Sequence, residues 1–284
     1  MRWRARTYDY VFPGKTLVMG VVNVTPDSFS DGGKYLEPGA AVAHGIELAG
    51  DGADILDIGG ESTRPGAPAV PEEEEVHRVI PVIEALRRRV GIPISVDTRK
   101  PGVARAAIAA GASIVNDIGG RPDDGEMWGL VRDTGVGYVC MHMQGEPATM
   151  QDNPSYEDVV AEVREWFVKR LGAMVRAGLS EKQVVLDVGI GFGKRVEHNL
   201  KLLRALDYFN VSNRPIMVGV SRKSFIGNIL GAETSERLPG SLACACWAVS
   251  KGVAMIRTHD VAATVHAVRM TEHLLRANTD GDVG

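Results

Sequence analysis

Short runs of apolar and β-branched residues recur along this chain, and each run ends in polar or glycine-containing residues. The first run, residues 17–22, leads directly into Asn23 and a polar stretch that reaches Gly33. Continuous apolar runs of this length are typical of strands buried on both faces, and the residues that follow them are turn formers. Segments with helical spacing separate the runs, so the sequence predicts strands and helices in alternation.

Eight strands are predicted in this way, and a helix follows each one. The predicted strands are residues 17–22, 53–58, 93–96, 113–115, 137–141, 183–186, 215–220 and 254–256. The predicted helices are residues 39–51, 72–89, 101–110, 124–134, 155–177, 197–208, a helical region that ends near 251, and a last helix that ends near 276. Eight βα units are the pattern of an α/β protein with a (β/α)8 TIM barrel, and 284 residues suit one such domain.

An open doubly wound sheet is the competing fold. It would usually show a G-x-G-x-x-G fingerprint after an early strand, which the residues from Gly20 to Asn23 do not supply. We therefore predict a single barrel over residues 15–277, a short N-terminal extension at residues 1–14 and a flexible tail at residues 278–284.

Charge and composition argue against several classes of function. The chain carries 32 Lys and Arg against 36 Asp and Glu, a net charge of −4, and has no basic stretch with interleaved aromatic residues, so no nucleic-acid partner is predicted. No segment reaches the roughly 20 apolar residues of a membrane span, so no membrane partner is predicted either. The three cysteines lack metal-ligand spacing, and we interpret them as reduced packing residues of a cytoplasmic protein.

In a barrel, the residues at the carboxyl ends of all eight strands surround one mouth. The groups that should meet there are Asn23, Asp57, Thr63, Asp97, Asn116, Met141, Asp187, Lys223, Arg257 and His259. Among them, Asp97, Asn116 and Asp187 supply acceptors and one amide, which suits the edge of a planar ring that carries several N–H donors. An isolated Asp after a strand is more often a helix cap, but three such residues at three strand ends are harder to explain in that way.

A second subset of the mouth favours an anion. Asn23, Thr63, Arg257 and His259 come from strands that become neighbours when the barrel closes, and Arg with His suits a phosphate or pyrophosphate. Residues 221–224 lie where a predicted strand turns into a helix. The backbone N–H groups and hydroxyls at such a helix start can bind a carboxylate. The glycine-rich residues 189–194 do not fit a Walker phosphate loop and instead allow Phe192 to lie against a flat ligand. His142 is interpreted as structural, because it has no second ligand at metal spacing.

Eight blocks of sequence together resemble the dihydropteroate synthase family of pterin-binding barrels. The blocks are residues 20–33, 57–66, 96–98, 116–117, 142–145, 191–194, 219–224 and 257–260. They lie in order between residues 17 and 261, over nearly the whole chain. The resemblance implies condensation of a hydroxymethyl-dihydropterin pyrophosphate with p-aminobenzoate to give dihydropteroate and pyrophosphate. Inhibition by sulfonamides, which mimic p-aminobenzoate, is a further property of the family.

The resemblance also implies three groups of binding residues. The pterin is expected to contact Asp97, Asn116, Asp187 and Lys223, with Met141 and Phe192 at its faces. The pyrophosphate is expected to contact Asn23, Thr63, Arg257 and His259, with Mg²⁺ at Asn23. The p-aminobenzoate is expected to lie among Phe29, Arg64, Pro65, Phe192, Lys223 and Ser224.

The implied mechanism is a carbocation-like substitution that needs no protein nucleophile. Arg257, His259 and Mg²⁺ are expected to neutralise the charge of the departing pyrophosphate, and Asp31 to stabilise positive charge on the exocyclic carbon. Lys223 completes the predicted catalytic set. Val188 stands where the family usually has proline, and Thr258 where valine is more usual, but neither change removes a polar group.

Two other functions compete with this one. A pterin-binding methyltransferase that uses methyltetrahydrofolate and a corrinoid partner would share the pterin pocket, but residues 62–66 and 221–224 favour p-aminobenzoate and pyrophosphate. A pterin-binding paralogue without turnover is the second alternative. The family also implies a homodimer, and the Gly- and Ser-containing residues 25–33 are predicted to form a lid that becomes ordered when substrate binds.

Overall fold

The computed structural model of the protein describes residues 1–25, 38–62, 66–119 and 125–277. The predicted tail and all but the first residue of the predicted lid lie outside these ranges. The strands within these ranges are β1 (Arg2–Ala5), β2 (Tyr8–Val11), β3 (Leu17–Asn23), β4 (Ile55–Gly59), β5 (Ile94–Asp97), β6 (Ile114–Asp117), β7 (Gly137–Met141), β8 (Val184–Asp187), β9 (Ile216–Gly219) and β10 (Met255–Thr258). The helices are α1 (Pro38–Gly50), α2 (Glu72–Arg87), α3 (Pro101–Ala110), α4 (Gly125–Thr134), α5 (Val159–Arg176), α6 (Val196–Arg204), α7 (Ser224–Leu230), α8 (Leu238–Ser250) and α9 (Val261–Ala277).

Strands β3 to β10 form a closed parallel barrel in sequence order, and β10 pairs with β3 to complete it. This confirms the predicted (β/α)8 fold. Alternate side chains of each strand point into the barrel and out to the helices. On β3, Val18 and Val22 face outward and join the large core under the helices, whereas Met19 belongs to the interior cluster. Both faces of each strand are apolar over most of its length, which explains why the strands appear in the sequence as continuous apolar runs.

The interior of the barrel changes from apolar to polar along its axis. Its lower part is packed by Leu17, Met19, Ile55, Ile114, Val139, Val185, Met217 and Met255. Two residues further along the strands, on the same inward face, Asp57 follows Ile55 and Asn116 follows Ile114, whereas Asp187 follows Val185. The apolar layers therefore form a rigid base, and the polar residues lie at the carboxyl end of the barrel.

An N-terminal hairpin closes the opposite end of the barrel. Within the predicted N-terminal extension, β1 and β2 pair as antiparallel strands around residues 6 and 7. Trp3 is fully buried, packs in the interior cluster and donates its indole N–H to the carbonyl of Gln183 at 2.9 Å. A Cβ atom on Gly137, the first residue of β7, would lie 2.8 Å from the Trp3 ring, so glycine is needed for this close approach.

Two helix predictions differ from the structure because of local capping. Helix α5 begins at Val159 rather than near residue 155, since the carboxylate of Asp158 accepts the backbone N–H groups of Val160 and Ala161. The single helical region predicted up to residue 251 divides into α7 and α8. Gly231, at φ 64°, ends α7 in the left-handed conformation, and α8 begins at Leu238.

The described helices include none with the length and apolar character needed to cross a membrane.

Candidate active site

A cluster of charges around the buried Asp57 forms the floor of the barrel mouth. Arg257 on β10 donates from Nε to Asp57 Oδ2 at 2.7 Å and from Nη2 to Asp97 Oδ2 at 2.6 Å. Asn116 on β6 donates from Nδ2 to the same Asp57 oxygen at 2.9 Å. One guanidinium thus bridges two carboxylates from neighbouring strands, and Asp57 fixes both Arg257 and the amide of Asn116.

Asp57 has no role in either predicted binding subset, although it stands among the expected strand-end groups. The sequence does indicate that Asp57 faces the barrel interior: it lies two residues after Ile55, so both side chains are on the inward face of β4. Within the described part of the chain, Asp57 Oδ1 and Asn116 Oδ1 are buried and accept no hydrogen bond. The Asn116 oxygen is therefore available to a donor from a ligand in the mouth.

The carboxylates and the guanidinium of this floor shift one another's ionisation. Burial raises the pKa of Asp97, with a further contribution from the charge of Asp57, and Arg257 opposes this shift. Burial also raises the pKa of Asp187, against the backbone N–H of Gly189, which donates to Asp187 Oδ1 at 2.8 Å. Burial by itself would lower the pKa of Arg257. The negative charges of Asp57 and Asp97 outweigh this effect and raise the Arg257 pKa above its usual range. Arg257 is therefore a permanent cation in the mouth.

The structure brings seven of the predicted residues together around one cleft above this floor. The cleft is lined by Asp97, Asn116, Ile118, Met141, Asp187, Ile190, Phe192, Gly219, Lys223 and Arg257. Ile118 and Ile190 are additional apolar walls that the sequence analysis does not name. Acceptors at the base and apolar side chains at the walls suit a flat heterocycle with several N–H groups.

Lys223 and Phe192 lie against each other at one side of the cleft. The Lys223 ammonium nitrogen is 4.1 Å from the centroid of the Phe192 ring, within the range of a cation–π contact. Burial, and then the charge of Arg257, lower the pKa of Lys223 to about 8. Lys223 directly precedes α7, and Ser224 is the first residue of that helix and is exposed. A carboxylate at this position would meet both the ammonium group and the start of the helix.

His259 is a neutral ring in this structure. Burial, together with the nearby Arg257, lowers its pKa to about 3. The Ser221 hydroxyl accepts the backbone N–H of His259 at 3.2 Å and lies 3.0 Å from its Nδ1 atom. When this hydroxyl donates its own proton to Nδ1, the ring proton lies on Nε2. A neutral His259 ring can donate one hydrogen bond to an oxyanion, and its part in neutralising a pyrophosphate stays a prediction.

Asn23 ends β3 at the edge of the mouth and pairs in register with Gly59. Because Gly59 has no side chain, the space between Asn23 and Asp97 stays open: a Cβ atom there would lie 3.9 Å from Asn23 Oδ1 and 3.6 Å from Asp97 Cβ. No group of three His, Cys, Asp or Glu residues that could hold a metal occurs in the described ranges. One amide oxygen fits Mg²⁺ that keeps its waters and takes further oxygens from a substrate phosphate, which is how Mg²⁺ is commonly bound.

Five predicted site residues, namely Phe29, Asp31, Thr63, Arg64 and Pro65, lie outside the described residues, so their roles stay predictions. Residues 26–33 of the predicted lid also lie outside the described ranges, so the lid stays a prediction.

Comparisons with known proteins agree on one family. A family model described as pterin binding enzyme matches residues 19–259. Over 260 residues, which are 92% of each chain, the protein is 49% identical to dihydropteroate synthase of Escherichia coli strain K12. The chain belongs to the dihydropteroate synthase family. Membership in this family confirms the resemblance.

Solved structures of the same family have the same fold. Dihydropteroate synthase of Xanthomonas albilineans with 4-aminobenzoic acid has a TM-score of 0.89 and 46% identity, and the match covers 96% of this chain and 98% of that one. A second structure of that enzyme, in complex with 7,8-dihydropteroate, has a TM-score of 0.86 and 42% identity, with the same coverage of both chains.

Proposed function

We propose that this protein is a dihydropteroate synthase, which joins 6-hydroxymethyl-7,8-dihydropterin pyrophosphate to p-aminobenzoate and releases pyrophosphate. One observation carries the proposal. Asp97, Asn116 and Asp187 line a single cleft, with Lys223 at its side, in a chain that is 49% identical to a dihydropteroate synthase over 92% of its length. These side chains supply acceptors for the N–H groups of a pterin and a cation for its partner substrate.

The pterin ring would lie flat above the floor. Its N–H groups would donate to Asp97, to Asp187 and to the unpartnered oxygen of Asn116, and Met141 and Phe192 would contact its faces. Asp57 orients this set without touching the ring, because it holds the amide group of Asn116 and the guanidinium of Arg257. The ring is thereby positioned so that its exocyclic carbon points out toward the mouth.

The pyrophosphate would then occupy the side of the mouth near Asn23 and His259. Arg257 carries a permanent positive charge there, and the neutral His259 offers its Nε2–H group as a donor. Mg²⁺, held by Asn23 and the phosphate oxygens, would supply further neutralisation of the leaving group. As the C–O bond breaks, its electron pair leaves with the pyrophosphate, and positive charge develops on the exocyclic carbon.

The second substrate would approach from the side of Lys223. Its carboxylate would meet Ser224 and the start of α7, and its ring would lie against Phe192 and the Lys223 side chain. The aniline nitrogen then attacks the exocyclic carbon, forms the new C–N bond and loses a proton to solvent. Asp31, which follows β3 in the sequence, remains the predicted stabiliser of the carbocation-like state.

The experiment that tests this function follows pyrophosphate release with the pterin pyrophosphate, p-aminobenzoate and Mg²⁺. Release that requires all three is the expected result, and replacing Asn116 with Leu should abolish most of it because the ring loses an acceptor. No release that depends on p-aminobenzoate would overturn the proposal. Pterin binding without turnover would favour the non-catalytic paralogue, and methyl transfer from methyltetrahydrofolate would favour the methyltransferase.

We also propose that two copies associate through α7, α8 and α9 and that the dimer works in the cytoplasm. Several large apolar side chains on these helices are exposed, namely Ile229, Leu230, Trp247, Met270, Leu274 and Leu275. Val268 of α9 is fully buried and belongs to the core. Light scattering after gel filtration should give twice the mass of the chain, and a Leu274→Glu variant should give the mass of one copy.

A further inference from the structure

Lys194 is a buried lysine that the proposed chemistry does not use. It follows the glycine-rich residues 189–193 and is only 3% exposed. Its ammonium nitrogen lies 2.9 Å from the carbonyl of Phe192, 3.0 Å from Nδ1 of His142 and 3.3 Å from the carbonyl of His142. Three acceptors match the three N–H bonds of one ammonium group, so the charged form is fully hydrogen-bonded inside the protein, although burial lowers the pKa of Lys194 to about 7.

His142 is held by Lys194 in one chemical form. Burial, together with the nearby Lys194 charge, lowers the pKa of His142 to about 2, so the ring is neutral. Because Nδ1 accepts from the ammonium group, the ring proton lies on Nε2. The ring packs edge-on against Trp166 at 5.1 Å between centroids. His142 is therefore a rigid acceptor that keeps Lys194 in place.

The backbone of the glycine-rich segment passes unusually close to this pair. Gly189 has φ 66°, and a Cβ atom there would lie 1.9 Å from the carbonyl oxygen of His142 and 3.3 Å from the Lys194 nitrogen. Gly193, at φ 60°, would place a Cβ atom 2.2 Å from the carbonyl oxygen of Gln144. Only glycine permits these approaches, so both ends of the segment are pressed against the residues that follow β7.

Phe192 is fixed between two lysines as a result. Its carbonyl is bound by Lys194 from below, and its ring is covered by Lys223 from the side of the cleft. Lys194 also makes a small contribution at Asp187: burial raises the pKa of that carboxyl group, and the charge of Lys194 opposes the shift after Gly189, Lys223 and Arg257. One residue therefore influences both a wall and a base acceptor of the same cleft without lining it.

We propose that Lys194 is a positioning residue for the pterin subsite: its ammonium group fixes Phe192 and His142. The inference rests on the proposed function, because it assigns the cleft to a pterin. It concerns binding of the ring, so its effect should appear in the pterin affinity and much less in the step that uses p-aminobenzoate.

The test compares three variants for affinity to 6-hydroxymethylpterin, measured by calorimetry, and for KM and kcat. Lys194→Met keeps the length of the side chain but removes the charge and all three donors. Tyr156→Phe removes a single neutral hydrogen bond, at 2.9 Å to the carbonyl of Gly193, and so loosens the same segment without changing its charge. Lys201→Met removes an exposed lysine from α6 and is the matched control for loss of one positive charge.

The expected result is a loss of pterin affinity of about 10- to 100-fold for Lys194→Met, the range for hydrogen bonds to a charged group. Its KM for the pterin substrate should rise by a similar factor, whereas its KM for p-aminobenzoate should change by less than about threefold. Tyr156→Phe should lose less than about fivefold in pterin affinity, and Lys201→Met should keep the wild-type affinity. Nitrogen NMR of labelled histidines should show the Nε2–H form of His142 in the wild type and its loss in Lys194→Met.

Equal losses in Lys194→Met and Tyr156→Phe would overturn the inference, since they would show only a loosened segment. Unchanged pterin affinity in a folded Lys194→Met variant would overturn it as well, and circular dichroism checks the fold. The proposed function fails separately: wild-type protein that binds the pterin without making dihydropteroate would contradict the synthase, while the affinity comparison and the NMR signature would still decide the role of Lys194.

Discussion

Asp57 is fully buried at the floor of the barrel mouth, and two different strands depend on it. It accepts hydrogen bonds from Asn116 and from Arg257, which lie 59 and 200 residues further along the chain. Neither partner can contact Asp57 until the barrel has formed. The residue thus combines a structural contact with the orientation of two groups that face the cleft, and its replacement should affect stability and binding together.

We expect Asp57→Asn to lower the free energy of unfolding by about 3 kcal/mol, because breaking a buried ion pair leaves the guanidinium without one of its two counter-charges. Urea denaturation measures this change. Asp9→Asn is the control, since Asp9 pairs with Arg2 on the exposed hairpin and should leave the urea midpoint nearly unchanged. An equal shift for both variants would contradict the assignment of Asp57 as the buried centre of the network.

His142 and His259 make stability depend on pH in a direction that the pKa shifts determine. Burial lowers their pKa values to about 2 and about 3, whereas an unfolded histidine titrates near ~6.5. Between these limits the unfolded chain binds protons that the folded chain does not, so stability is lost as the pH falls. Each ring contributes at most about 1.4 kcal/mol per pH unit. Asp97 and Asp187, with raised pKa values, act in the opposite direction.

We therefore expect His259→Asn to flatten the dependence of unfolding free energy on pH between pH 6 and pH 5. The comparison is made against the wild type, so that the contributions of the buried acids cancel. Urea unfolding at pH 7, 6 and 5 gives the dependence of unfolding free energy on pH for the wild type and for the variant. The two slopes should differ by an amount that corresponds to the uptake of at most one proton on unfolding. Identical slopes would mean that His259 is protonated in the folded protein, and its role as a neutral donor would then be wrong.

Glycines with positive φ shape the turns after the strands, and the turn from β8 into α6 has three of them, Gly189, Gly191 and Gly193. The sequence shows a glycine-rich segment and excludes a phosphate loop, but it does not show why glycine is required. The reason is steric: at Gly189 the backbone carbonyl of His142 leaves no room for a side chain. The same approach brings the segment within reach of Lys194.

We expect Gly189→Ala to destabilise the protein far more than Gly135→Ala. Both glycines have nearly the same φ, 66° and 69°, but a Cβ atom on Gly135 meets no atom within 4 Å. Gly135→Ala should cost only the left-handed strain of about 1 kcal/mol. Thermal unfolding measures both changes. Only Gly189→Ala should also weaken pterin binding, and comparable effects of the two variants would show that the close approach to His142 is unimportant.

At the scale of the whole molecule, the two ends of the barrel have different tasks. The carboxyl ends of the strands carry the charged floor and the cleft, whereas the N-terminal hairpin covers the apolar interior at the opposite end. Such a division lets residues at the mouth be chosen for chemistry while the base supplies packing. The hairpin should therefore matter for stability and leave the site unaffected.

We expect Trp3→Ala to lower the free energy of unfolding by about 3–5 kcal/mol, because it opens a cavity in the interior cluster. The KM values of the remaining folded protein should stay at the wild-type level. Guanidinium unfolding and steady-state kinetics check the two parts. Val11→Ala, at an exposed position of the same hairpin, should leave both unchanged. A large rise in KM for Trp3→Ala would show that the two ends of the barrel are coupled.

Local patterns in the sequence by themselves determined the eight βα units, the fold class and the identity of most polar residues at the mouth. Apolar runs, helical spacing and turn residues are properties of neighbouring positions, so they can be read without the structure. Even Asp57, on the inward face two residues after Ile55, follows the period of its strand. Resemblance to the family added the expected roles of residues that chemistry alone left open.

Only the tertiary structure decided how these residues act on one another. The pairing of Arg257 with Asp57 and Asp97, the neutral form of His259, the burial of Lys194 and the closure of the barrel by Trp3 all join distant parts of the chain. Each depends on burial and on distances that are set when the strands close into the barrel. Ionisation and hydrogen bonding respond to that environment rather than to sequence neighbours, which is why the pattern of the strands could be predicted and the network between them could not.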